Sequence, residues 1–263
     1  TASSAIWRVR RSRWEGMLGA LAHEAATNAA AQAAIIDFMF PPERAEFARS
    51  VDDAKQVRLK GAMEHLIEGY RIYRKTRWPE LRSLHRYLAD RGQSPRTLII
   101  ACADSRVDPA TIFNAGPGEL FVVRNVANLA PPFEEAPGFH GVSAAIEFAV
   151  MHLKVETILV LGHRQCGGVA AALDERPRDP QSFLDSWISL LDTAKSRIGK
   201  DGDRVSELEH ESIRVTLENL ATFPFIQDAM KTRGLNLVGM RYGVADGGLE
   251  LLNTVTGAFE PVL

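Results

Sequence analysis

The 263-residue chain holds two cysteines, Cys102 and Cys166, too few for a disulfide scaffold and enough for one bridge or one metal site. Their neighbours decide between these. Cys102 opens the run Cys102-Ala103-Asp104-Ser105-Arg106, and Cys166 closes Gly162-His163-Arg164-Gln165-Cys166 ahead of Gly167-Gly168. Taken singly, a cysteine after a buried strand is ordinarily a small hydrophobe, and one histidine among seven is ordinarily structural or exposed. Taken together, two thiolates and an imidazole form a soft donor set that suits zinc and leaves a fourth tetrahedral position for water. A structural zinc site closes its shell with four Cys or His ligands, and there is no third cysteine. Asp104 could itself be the fourth ligand, closing the site, or Arg106 could hold it off the metal by a charge-assisted bidentate contact. In the open arrangement zinc lowers the pKa of its water to about 7, and Asp104 accepts the hydroxide proton as a hydrogen bond. That chemistry suits attack on a small electrophile.

Distant segments can meet only if the fold brings them together. Both follow short β-prone apolar runs, Thr97–Ala101 and Thr157–Leu161, and a third run lies at Leu120–Val123. Ser143–Leu153, apolar at Ala144, Ala145, Phe148, Val150 and Met151, reads as a crossover helix. The alternation predicts an α/β fold with a mainly parallel central sheet and flanking helices, whose C-terminal strand ends form one ligand crevice. Gly167-Gly168 opens a further helix, Pro177 to Pro180 lies in a polar loop, and Glu211–Leu220 forms a helix that Pro224 stops. Leu235–Val244 and Leu249–Thr254 read as C-terminal antiparallel strands joined by Asp246-Gly247-Gly248. Upstream, alanine-rich residues 15–40 favour helix, Pro41-Pro42 interrupts it, and Asp53–Lys75 carries an apolar stripe of Leu59, Met63, Leu66, Ile67 and Tyr70. Residues 1–50 therefore read as an N-terminal helical extension, and residues 51–263 as the domain bearing the site.

Composition narrows the function further. The 31 basic residues nearly balance the 33 acidic ones, so no strong field gathers nucleic acid or an anionic membrane. Arg8, Arg10, Arg11 and Arg13 read as a solvated arm. No apolar run approaches the roughly 20 residues that cross a bilayer, and no secretory signal pattern follows the basic start. A soluble, cytoplasmic protein is expected.

At the cysteine segments the chain resembles the β-class carbonic anhydrases, whose Cys-x-Asp-x-Arg and His-x-x-Cys motifs stand here as Cys102 to Arg106 and His163 to Cys166. Gly116 to Asn128, Ser143 to Val150 and Ser212–Phe225 are similar to family segments too, so the resemblance covers roughly residues 60–260. It implies one Zn2+ per subunit on Cys102, His163 and Cys166, Asp104 and Arg106 as the catalytic dyad, hydration of carbon dioxide, and a homodimer or higher homo-oligomer. Gln93-Ser94-Pro95 is similar to the plant-like subgroup. That likeness implies that Gln93 hydrogen-bonds substrate across the subunit interface and that Phe121 and Phe148 line an apolar substrate pocket, Phe148 replacing a frequent tyrosine. The other subgroup carries tryptophan where Ile99 stands, so an open site without bicarbonate inhibition of that subgroup's kind is expected.

Carbonyl sulfide and carbon disulfide hydrolases resemble the same family and use a similar zinc site on related linear electrophiles. A non-catalytic interaction protein that keeps its zinc is the competing reading from another class. His152, on the crossover helix, reads as a packing residue more than as a proton carrier.

Overall fold

The computed structural model describes residues 63–135, 138 and 140–263. The alanine-rich stretch, the arginine cluster and the rest of the 1–50 extension lie outside the described residues. The chain divides into two units after Leu81. The first contributes helical residues 63–76, where Met63, Leu66, Ile67 and Tyr70 are exposed. Helix α1 (Trp78–Arg91) crosses the division and was not foreseen, although Trp78, Leu81, Leu84 and Leu88 recur at helical spacing.

Arg82–Leu263 hold a six-stranded sheet of order β2-β1-β3-β4-β5-β6. Strands β1 (Thr97–Cys102), β2 (Leu120–Asn125), β3 (Thr157–His163) and β4 (Asn236–Tyr242) run parallel, and β5 (Leu249–Leu252) and β6 (Phe259–Pro261) continue antiparallel. Successive side chains of a strand point to opposite faces. Leu98 and Ile100 of β1 accordingly join Ile158 and Val160 of β3 in one core, while Ile99 and Ala101 join Leu159 and Leu161 in another. Because both faces are covered, the strands read as continuous apolar runs rather than alternating ones.

The covering helices are α2 (Pro109–Ile112), α3 (Gly141–Glu147), α4 (Gly167–Ala172), α5 (Phe183–Ile188), α6 (Asp192–Arg197), α7 (Arg204–Leu220) and α8 (Pro224–Arg233). The expected crossover helix is α3, which passes into a π-helical turn at Phe148–His152. Helix α7 begins earlier than periodicity indicated, because the Asp203 carboxylate caps it by accepting the Ser206 N–H at 3.1 Å. Pro224 ends the apolar stripe of α7 but also starts α8, where its fixed φ and missing N–H suit the first helical turn. The Asp246-Gly247-Gly248 turn joins β4 to β5 as expected, with Gly247 at φ 70°, and the three-residue β6 adds a strand that the sequence reading lacked.

Helix α7 reaches the sheet through Ile213, which is fully buried. A Cβ on Gly162 of β3 would lie 2.7 Å from Ile213 Cδ1, and one on Gly239 of β4 would lie 2.7 Å from its Cγ2. Two glycines thus form the seat for one isoleucine. Ile213→Ala is expected to cost about 2–5 kcal/mol of stability through the cavity it leaves, measured by denaturant unfolding at fixed protein concentration.

Candidate metal centre

From β1 the chain crosses to β2 on one side and later returns to β3 on the other, which makes the β1/β3 junction a topological switch point. Cys102 is the last residue of β1, His163 the last of β3, and Cys166 the N-cap of α4. All three are buried, at 5%, 1% and 1% exposure, and their ligand atoms lie within 4.8 Å of one another. The sulfurs are 3.8 Å apart, which is about the separation that two Zn–S bonds of ~2.3 Å at a tetrahedral angle require. His163 Nδ1 lies 2.9 Å from the Arg164 carbonyl, so the tautomer assigned from this contact donates there and frees the Nε2 lone pair. Nε2 is buried without a hydrogen-bond partner. Two sulfurs and an orphaned imidazole nitrogen converging on one point are a fit for zinc.

The electrostatics agree. A hydrogen bond from Cys166 pulls the Cys102 thiol down to about 4 against burial, helped by His163 and the N–H groups of Asp104 and Ala127. The same sulfur contact, with burial, pushes Cys166 up. Burial acts to lower His163, and its contacts with Cys102 outweigh that and raise it. The pocket therefore concentrates negative charge on sulfur, which a divalent cation neutralises.

Asp104 and Arg106 stand beside the cluster. Arg106 donates from Nε to Oδ1 at 3.0 Å and from Nη2 to Oδ2 at 2.7 Å, and its backbone N–H reaches Oδ1 at 2.9 Å. These contacts, the guanidinium first, hold Asp104 well below the usual carboxylate range. Asp104 Oδ2 stays 3.9 Å from His163 Nε2. Arg106 Nη2 also donates to the Gln165 carbonyl at 3.2 Å, tying the two ligand loops together.

The sequence reading missed Arg124. Its Nε donates to the Cys102 carbonyl at 3.0 Å, and its Nη2 donates to those of Asp104 at 2.6 Å and Val107 at 2.8 Å. One guanidinium thus pins the whole Cys102–Val107 loop. The available signal was a charged residue in the largely apolar strand β2. Next to it, Asn125 exchanges two 2.8 Å bonds with the backbone of Leu129 across Ala127 and Asn128, both left-handed at φ 64° and 52°.

Gln93, Phe121 and Phe148 lie elsewhere. Gln93 is exposed ahead of β1, and the rings of Phe121 and Phe148 pack at 5.8 Å. Phe121 pairs with Leu98 and Asn125 with Cys102, so Phe121 sits four residues back along the sheet, roughly 13 Å from the level of the ligand. The structure groups the two phenylalanines but does not bring them to the cluster of their own subunit. His152 packs its ring 5.3 Å from Phe148.

An α/β sheet that gathers a buried Cys-His-Cys cluster at its switch point, with an arginine-bound carboxylate alongside, defines a three-ligand zinc enzyme. The profile of the carbonic anhydrase family matches residues 97–249. The chain belongs to the β-carbonic anhydrase family. It is 34% identical over 199 residues to beta carbonic anhydrase 3 of Arabidopsis thaliana, covering 72% of this chain and 76% of that one. Among solved structures it is similar to the β-carbonic anhydrase CcaA, at TM-score 0.67 and 31% identity over 77% of this chain and 93% of that one. A β-carbonic anhydrase from Sordaria macrospora, described as tetrameric, matches at TM-score 0.65 and 28% identity over 76% and 99%.

Arg164, whose carbonyl orients His163, extends its guanidinium to Asp246 at 2.8 Å and Glu250 at 2.7 Å. Burial acts to raise Glu250, but Arg241, Arg164 and His210 outweigh it and bring the carboxyl down to about 2. A depressed carboxyl contributes stability that is complete above its unfolded value and fades as pH falls through the folded one. The loss of stability in Glu250→Gln is therefore expected to be largest above about pH 5 and to shrink as pH approaches 2, followed by thermal unfolding across that range.

Proposed function

We propose that this chain catalyses the reversible hydration of carbon dioxide to bicarbonate and a proton, with one zinc ion held by Cys102, His163 and Cys166. The observation that carries the reading is the buried cluster with its unpartnered His163 Nε2 beside the arginine-bound Asp104, in a member of this family. Zinc supplies a Lewis acid that makes water nucleophilic at neutral pH. The protein does the rest. Cys102 and Cys166 hold the cation in a water-poor pocket, and the Arg164 carbonyl keeps His163 in its ligating tautomer. Arg106 keeps Asp104 ionised, so the carboxylate acts only as an acceptor and orients the proton-bearing nucleophile rather than protonating it.

The finer assignment is the plant-like, open-site subgroup. It is supported by the Arg106 fork, which engages both Asp104 oxygens, and by Ile99, which is packed in the core where the other subgroup carries tryptophan. Gln93, Phe121 and Phe148 then serve as substrate-binding residues for the metal centre of a second copy, which makes the enzyme a homodimer or larger homo-oligomer. Their distance from the cluster of their own subunit favours this arrangement. Residues 1–50 are assigned as a helical extension of the catalytic domain, 51–263. No helix among the described residues is long and apolar enough to cross a membrane, and the proposed compartment is the cytoplasm.

Stopped-flow hydration with zinc analysis tests the activity. Wild type is expected to carry one zinc per chain, Cys166→Ser to lose metal and activity together, and Asp104→Asn to keep zinc while kcat falls about 100-fold or more. Rapid sulfide release from carbonyl sulfide with negligible carbon dioxide hydration would displace this reading in favour of the sulfide hydrolase.

Mixing subunits tests the shared site. Gln93→Ala and Cys166→Ser chains, each impaired alone, are expected to recover activity on co-refolding, because the hybrid joins an intact metal centre to an intact glutamine. Absence of recovery in verified hybrids would place Gln93 outside the partner's site.

A further inference from the structure

Behind the ligands, charged side chains from α7, β4, β5 and the His163–Cys166 loop connect in a circuit that the catalytic reading uses only at the Arg164 carbonyl. The Cys166 N–H donates to Glu209 Oε1 at 3.1 Å. Gln165, at φ 58°, turns the loop so that its own N–H also faces this carboxylate. Glu209 Oε2 accepts from Arg241 Nη1 at 3.1 Å, and both side chains are buried, at 3% and 4% exposure. Arg241 and Glu250 are Cα partners on adjacent antiparallel strands, and Arg241 Nε donates to Glu250 Oε2 at 2.7 Å. Arg164 Nη2 donates to Glu250 Oε1 at 2.7 Å, and the Arg164 carbonyl returns to His163 Nδ1 at 2.9 Å. The circuit therefore begins at one of the proposed zinc ligands and ends at another.

We propose that Glu209, Arg241, Glu250 and Arg164 form a closed positioning ring that sets both ligands of the His163–Cys166 loop, so that metal retention depends on the ring. The proposal rests on the zinc reading above. Two features favour a positioning role over simple structural stability. Buried ion pairs are weak stabilisers compared with apolar side chains of like volume, so stability alone does not account for four charges in this place. The ring also alternates two anions with two cations, so each carboxylate is held from two sides and fixes the direction of the loop. Outer partners of this kind fix the tautomer and direction of a ligand.

The test is zinc release from the holoenzyme to the chelator 4-(2-pyridylazo)resorcinol, together with the visible spectrum of the Co2+-substituted protein. Both are recorded well below the unfolding temperature, with circular dichroism as the check on folding. Glu209→Ala is expected to release zinc about 10–100-fold faster. Glu209→Gln, which keeps an acceptor oxygen for the Cys166 N–H, is expected to restore most of the retention. Arg164→Met opens the ring at its half-exposed rim while leaving the backbone carbonyl in place, and it is expected to release zinc faster and shift the cobalt bands. If Glu209→Ala does not fold, Arg164→Met and Glu250→Gln decide the matter. Folded variants with wild-type release rates and cobalt spectra would overturn the ring alone. A wild-type protein without stoichiometric zinc would overturn the zinc reading and the ring with it.

Discussion

Two sulfur atoms held 3.8 Å apart inside a folded domain, with an imidazole nitrogen pointing between them, are the constraint on which the rest of this structure turns. A low-dielectric interior tolerates anionic sulfur only when a positive centre is supplied, and then the attraction is strong because water does not screen it. The surrounding architecture serves that requirement. Two doubly buried strands end side by side, one helix begins at the last ligand, and the loops between are pinned by arginines.

Those arginines divide the work. Arg106 fixes the Asp104 carboxylate, Arg124 fixes the backbone that carries it, and Arg164 fixes the imidazole through its carbonyl. Arginine suits the first two roles because its planar fork satisfies two acceptors at once and its charge is permanent. Lysine could match the charge but not the geometry. The site is held mainly from the backbone outward, which accounts for three left-handed non-glycine residues, Ala127, Asn128 and Gln165, in the segments beside the ligands.

Much of this was legible in the sequence where a local pattern matched a local structure. Thr97–Ala101 and Thr157–Leu161 showed their strands because burial on both faces leaves an unbroken apolar run, and His163 to Cys166 showed its chemistry because two donor residues stand three positions apart on one tight turn. Helix α1 was overlooked although Trp78, Leu81, Leu84 and Leu88 recur at helical spacing, whereas β6 was hidden because three residues carry no usable period. Arg124, Glu209, Arg241 and Glu250 were hidden for a different reason. Their partners lie 9 to 86 residues away in the chain, so only the register of the sheet and the placement of α7 join them. The same holds for the separation of Phe121 from the ligands, which follows from strand pairing and not from composition.

The ligands come from the ends of strands that are adjacent in space but not consecutive in the chain, and Cys102 stands 64 residues before Cys166. An unfolded chain offers a cation at most the His163–Cys166 pair, and the full set exists only once β1 has docked against β3. The ion thus reads topology: it binds tightly only to a molecule whose central pairing is already correct, and its affinity adds to the stability of that molecule alone. Such an ion is a latch on the completed sheet, and its hold is lost wherever that one pairing fails.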